Sequence, residues 1–126
     1  MQKEGKTITE AIKSLCALFA PHTSDRSTLN ELCKLANERN SWKKAHDLFE
    51  RIRRKNLKAF ECGDSKLTAQ FAFEEACAKT LYNLARMSAP FDPDSPYWII
   101  PNALATARYF NLSEDEVLRA IGDSTT

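Results

Sequence analysis

Residues 65–87 read SKLTAQFAFEEACAKTLYNLARM, a long run with neither glycine nor proline. Leu67, Phe71, Ala78, Leu81 and Ala85 fall on one side at helical spacing, and Phe73, Ala76, Cys77 and Leu84 widen that stripe. A helix apolar over so wide an arc cannot face water on most sides. It must be wrapped by other helices, and the rest of the chain has to supply them.

The remaining segments do read as helices. Ile8, Ile12, Leu15, Cys16 and Phe19 form one stripe, opened by Thr7 or Thr9 with Glu10 completing a capping box. Pro21 ends that helix, because the residue before a proline is pushed out of helical geometry. Thr28 with Glu31 reads as a second capping box, leading Leu29, Leu32, Cys33 and Ala36 into a helix that ends near Arg39 or Asn40. Ser41 caps a third helix striped by Trp42, Ala45, Leu48, Phe49 and Ile52 and continued by Leu57 and Phe60. Gly63 stops it, and Asp64 or Ser65 caps the central helix.

The clearest break is SAPFDPDSP at 88–96, too short for a domain linker. Pro96 suits a first helical turn capped by Ser95. Pro101 disfavours helix at Ile100, so one turn or an extended piece is expected at 97–100, followed by a helix from Pro101 to Phe110. Asn111 ends it in a left-handed conformation. Ser113 with Glu116 caps a last helix that Gly122 stops. No strand-period alternation and no internal repeat is present. The expectation is a single all-α domain, 1–126, a compact orthogonal or irregular bundle of about six helices around 65–87. The apolar fraction of 43% is enough to fill one core.

Charge excludes little by itself. Eighteen Lys and Arg against 17 Asp and Glu leave a net charge of +1, so there is no bulk attraction to nucleic acid or an anionic membrane. MQKEGKTITEAIK does not read as a secretory leader, and no apolar run reaches the ~18 residues of a membrane span. Cys16, Cys33, Cys62 and Cys77 show no CxxC pair and are expected to be reduced, mostly buried thiols, which places the chain in the cytoplasm.

The search for chemistry yields four candidates. Lys44, Arg51, Lys55 and Lys58 share one face of the third helix, with Arg54 beside it. Such a stripe suits phosphates, an acidic protein, or simply water on a charged helix face. Next, Ala107, Asn111-Leu112-Ser113, Val117 and Ile121 resemble the spacing of the helix-turn-helix family within 104–121. That family places a glycine where this chain has Asn111. It also needs donors where the second helix opens Glu114-Asp115-Glu116, and three carboxylates there repel DNA. The segment therefore reads as a packed helix pair.

Third, His22 and His46 form no HxxxH or HExxH pair, and no cysteines have ligand spacing, so neither metal nor cofactor is expected. Glu74 shares its face with Phe71, Ala78 and Leu81. With Glu75, Lys79 and Arg86 it is the nearest approach to interior charge, and it reads as a catalytic acid or, more simply, as the buried partner of an arginine. Fourth, Phe91, Asp92, Asp94, Tyr97 and Trp98 make a rigid acid-aromatic loop. With Glu114, Asp115 and Glu116 it resembles a protein-binding rim.

The expectation from these patterns is a small, non-catalytic protein-binding protein of the bacterial immunity or antitoxin type. Its acidic rim would occlude the basic groove of a toxin, such as a nuclease. The alternative is a nucleic-acid-associated regulator using the basic helix at 43–58.

Overall fold

The computed structural model describes residues 8–37, 42–87 and 95–122. Six α-helices follow one another: α1 Ile8–Phe19, α2 Ser27–Asn37, α3 Trp42–Glu61, α4 Ser65–Met87, α5 Ser95–Tyr109 and α6 Glu114–Ile121. A 3-10 turn, Ala20–His22, carries the chain from α1 through Pro21. The architecture is an all-α bundle. None of its described helices is long and apolar enough to cross a membrane.

The helix ends follow from local chemistry. Gly63 adopts φ 77°, and the Asp64 N–H donates back to Ala59 O at 2.9 Å, closing α3 with a six-to-one bond. Asp64 then turns from stop to start, its Oδ1 accepting from the Leu67 N–H at 3.0 Å. Asn111 takes φ 61°, and the Leu112 N–H reaches Ala107 O at 2.9 Å. Ser113 and Glu116 form the expected reciprocal box, and Gly122 at φ 90° ends α6.

Two local expectations are corrected. α2 begins at Ser27, not after Thr28. The Ser27 N–H and hydroxyl both donate to Asp25 Oδ1, at 3.3 and 3.1 Å. Thr28 is thereby carried into the interior, while Glu31 turns outward to Arg51, so that capping box does not form. α2 ends at Asn37, and residues 38–41, including the Ser41 cap, lie outside the described set. The second correction is at Pro101, which sits inside a continuous α5. It is exposed, and the helix on either side of it buries Ile99 and Ala103. Packing of α5 on α4 outweighs the lost backbone bond.

α4 is the axis of the molecule. It packs on α3, α5 and α2, and its Phe73 meets Phe19 of α1 edge-on at 5.2 Å. Phe71, Phe73, Ala76, Cys77, Ala78 and Leu81 are all buried. Each phenylalanine stabilises the fold by roughly 1.5–3 kcal/mol through burial. On the opposite side α1 packs on α2 and α6, with Ile12, Leu15, Cys16 and Phe19 inside. Ala107 and Val117 are buried where α5 turns into α6, so the 104–121 segment is a packed helix pair. The four cysteines are free thiols: Cys16 and Cys77 are buried, Cys33 is half-buried and Cys62 is exposed.

Candidate functional site

Two regions depart from apolar-inside, polar-outside packing. The first lies under α2. Gln70 and Glu74, one turn apart on α4, are both fully buried, beside buried Thr23 and Thr28. The Gln70 amide uses both ends. Its Nε2 donates to Glu74 Oε2 at 2.7 Å and to the Asp25 carbonyl at 3.0 Å, and its Oε1 accepts from the Thr23 hydroxyl. The Asp25 carboxylate in turn takes Lys55 Nζ at 3.0 Å, and that ammonium lies 5.7 Å from the Phe71 ring centroid. A polar chain thus runs from α3 through the turn before α2 into α4.

The acid strengths follow from this placement. Burial pushes Glu74 up to about 7. The Thr28 and Gln70 side chains pull it back, and Asp25 adds to the rise. Thr28 Oγ1 stands close enough to favour the ionised form, yet neither it nor Glu74 Oε1 sits in a well-formed hydrogen bond. Burial, the largest of these influences, is what favours the neutral acid here. Asp25 goes the other way: partial burial raises it, but Lys55 and Ser27 outweigh that and hold it below the usual range. Burial, with Glu74 nearby, drives the Cys16 and Cys77 thiols well up.

An acid poised near neutrality has the strength that proton transfer asks for. Access is what it lacks. The described cleft of about 420 Å³ lies between α2 and α3, lined by Glu31, Lys34, Lys44 and Arg51 over Leu35 and Leu48, and includes neither Glu74 nor Cys77. The arginine expected beside Glu74 is replaced by Gln70, a neutral partner. Glu75 is partly buried and pushed up by that burial, against the pull of Arg53, while Lys79 is exposed. His22 stacks on Phe110 at 5.9 Å, and His46 lies 3.8 Å from Glu50. Among the described residues no three His, Cys, Asp or Glu side chains gather to hold a metal ion.

The second region is the outer edge of α3. Trp42, His46, Phe49, Arg53, Leu57 and Phe60 recur every three or four residues, so they share one stripe. It is about 27 Å long at 1.5 Å per residue. Phe60 is 68% exposed and Leu57 57%. Trp42 and His46 reach Tyr82 of α4 at 6.2 and 5.8 Å between centroids. The Arg53 guanidinium covers the Phe49 ring at 5.8 Å. About 100° round the same helix, Ala45, Leu48, Ile52 and Ala59 are buried, so the exposed row runs beside the packed face of α3.

The basic stripe proves to be divided. Arg51 grips Glu31 of α2 with two nitrogens, at 2.8 and 2.5 Å. That bond lowers the Glu31 pKa and raises that of Arg51. Lys55 is committed to Asp25 and to the Ser27 hydroxyl. Arg54 and Lys58 are exposed, and Lys44 lines the cleft. Of the acid-aromatic rim, Phe91, Asp92 and Asp94 lie outside the described residues, as do the side chains of Tyr97 and Trp98 in the first turn of α5. Glu114 and Asp115 are exposed at the start of α6, while Glu116 closes its capping box.

Sequence reasoning placed Trp42, Phe49, Leu57 and Phe60 on the buried stripe of the third helix. Their offset from Ala45, Leu48 and Ile52, from about 70° for Phe49 to about 150° for Leu57 round the helix, was the available signal. Burial of Gln70 and Thr28 left no such signal, since both are ordinary surface residues. No family model, no curated protein and no solved structure matches the chain.

Proposed function

We propose that this chain is a non-catalytic protein-binding domain that engages its partner through the outer edge of α3. One observation carries the reading: three large apolar side chains, Trp42, Leu57 and Phe60, stand exposed in a single row with half-buried Phe49 on a well-packed helix. Aromatic and arginine side chains in such a row are the residue types that anchor protein interfaces. The enclosure of Glu74 supports the same reading, because a substrate needs a path to its acid.

Apart from that edge, the acidic start of α6 suits a basic partner such as a toxin domain. Glu114 and Asp115 stand exposed, offering charge to a basic groove. The nucleic-acid alternative draws less support, since Arg51 and Lys55 spend their charge on Glu31 and Asp25. A photo-reactive amino acid at position 57, in cells expressing the chain, tests the proposal. It should form a discrete protein adduct that is lost with Phe60→Asp, while the same probe at exposed Asn111 forms none. Equal labelling at both positions overturns it.

A further inference from the structure

We propose that the outer edge of α3 docks antiparallel on the same edge of a second copy of this chain. The inference rests on the protein-binding reading of that edge and names its partner.

The argument comes from the charges that border the row. Lys43, Asp47, Glu50, Arg54, Lys58 and Glu61 line its outer flank. Read along the helix the signs are plus, minus, minus, plus, plus, minus. Reversed, they are the inverse of themselves. A two-fold axis across α3 near residue 51 or 52 brings this flank against its own copy running the other way. Lys43 then faces the partner's Glu61, Asp47 its Lys58 and Glu50 its Arg54, and symmetry makes each pair twice. The same register sets Trp42 against the partner's Phe60, His46 against its Leu57 and Phe49 against its Arg53. The Arg53–Phe49 contact at 5.8 Å within one chain thus has an equivalent across the interface.

A parallel arrangement does the opposite, setting Lys43 on Lys43, Glu50 on Glu50 and Arg54 on Arg54, which repel. Nor are these charges held in close ion pairs, although Asp47 borders the α2–α3 cleft near Arg51 and Lys43 lies over the Trp42 ring at 5.7 Å. Among the described residues, none of the six lies within 4.0 Å of an opposite Lys, Arg, Asp or Glu charge, where the neighbouring Arg51 and Lys55 do find carboxylates. Glu50 has only His46, at 3.8 Å. Helix pairing of this kind, an apolar seam with opposite charges on its flank, is the antiparallel counterpart of a coiled-coil contact.

Sedimentation equilibrium of the full chain tests this. Loading runs from about 1 μM to about 1 mM, the affinity range of small and partly polar interfaces. The wild type should pass from monomer to dimer, more weakly in high salt. Glu50→Arg alone and Arg54→Glu alone should each weaken dimerisation at least about tenfold, because each replaces attraction with repulsion at two symmetric points. Mixed together, the two single variants should form a heterodimer, and the double variant E50R/R54E should recover self-association. Both positions of the swap carry solvent-facing side chains, and unchanged thermal unfolding of the monomers verifies folding. Single variants that dimerise like the wild type, or a mixture that does not rescue, overturn the proposal. A wild type that stays monomeric also overturns it. In that case a surviving protein adduct at position 57 keeps the broader binding reading, and loss of the adduct ends both.

Discussion

The polar chain under α2 and the apolar edge of α3 are mirror violations of one rule. Gln70 and Glu74 are buried, and Leu57 and Phe60 are exposed. The two regions differ in how the cost is met. Inside, each polar group needs a geometrically placed partner, because an unmade bond there costs about 1–3 kcal/mol. Outside, an apolar side chain costs the fold almost nothing, because it contacts water in the unfolded chain too. Changes in the first region should therefore read out as stability, and changes in the second as association.

The largest effect is expected from Gln70→Leu. It strips donors from Glu74 and the Asp25 carbonyl and an acceptor from Thr23. We expect a loss of at least about 3 kcal/mol in urea unfolding at pH 7. A loss under about 1 kcal/mol breaks the view that the amide is the keystone.

Glu74→Gln comes next and has a sign that depends on pH. The folded pKa of about 7 lies above the ordinary 4.5. The contribution of this acid to stability is therefore full below about pH 4.5 and is lost as pH rises to 7. The linkage amounts to about 3 kcal/mol at 1.36 kcal/mol per pKa unit. The variant, neutral throughout, should flatten that decline and be the more stable form at pH 8. A wild-type stability that rises between pH 5 and 7 with the variant following in parallel contradicts the assignment. Asp25, held low by Lys55, acts oppositely and at more acid pH, where its protonation costs stability.

Smaller still is Arg51→Met. The Glu31 pair is partly exposed, so its loss should cost no more than about 1 kcal/mol and fade in high salt. Least of all is the paired change Leu57→Ser with Phe60→Ser. It should leave stability within about 0.5 kcal/mol while removing the dimer. A large fall in melting temperature here sharpens the comparison against us, since it makes the edge part of the core.

Much of the architecture was legible beforehand because helix signals are local. The Ser113–Glu116 box, the left-handed Asn111 and the stops at Gly63 and Gly122 each need only a few neighbours in sequence. The failures at Thr28 and Pro101 share a cause. In both, a contact with a distant element overrode a local preference: Thr28 is drawn in beside Glu74, and α5 stays helical through Pro101 where it packs on α4. The edge of α3 was visible in part. Its apolar residues were merged with Ala45, Leu48 and Ile52 into one buried stripe, whereas Trp42, Leu57 and Phe60 stay exposed, because which side is covered depends on the angle at which two helices meet.

What the sequence determined alone is the set of helices, their caps and the dominance of 65–87, because hydrogen bonding and periodicity act within a few residues. What only the tertiary structure decided is which polar groups went inside and which apolar groups stayed out. Burial is a property of surfaces meeting across the fold, and Lys55, Asp25, Gln70 and Glu74 become one chain of contacts only once three separate segments are brought together.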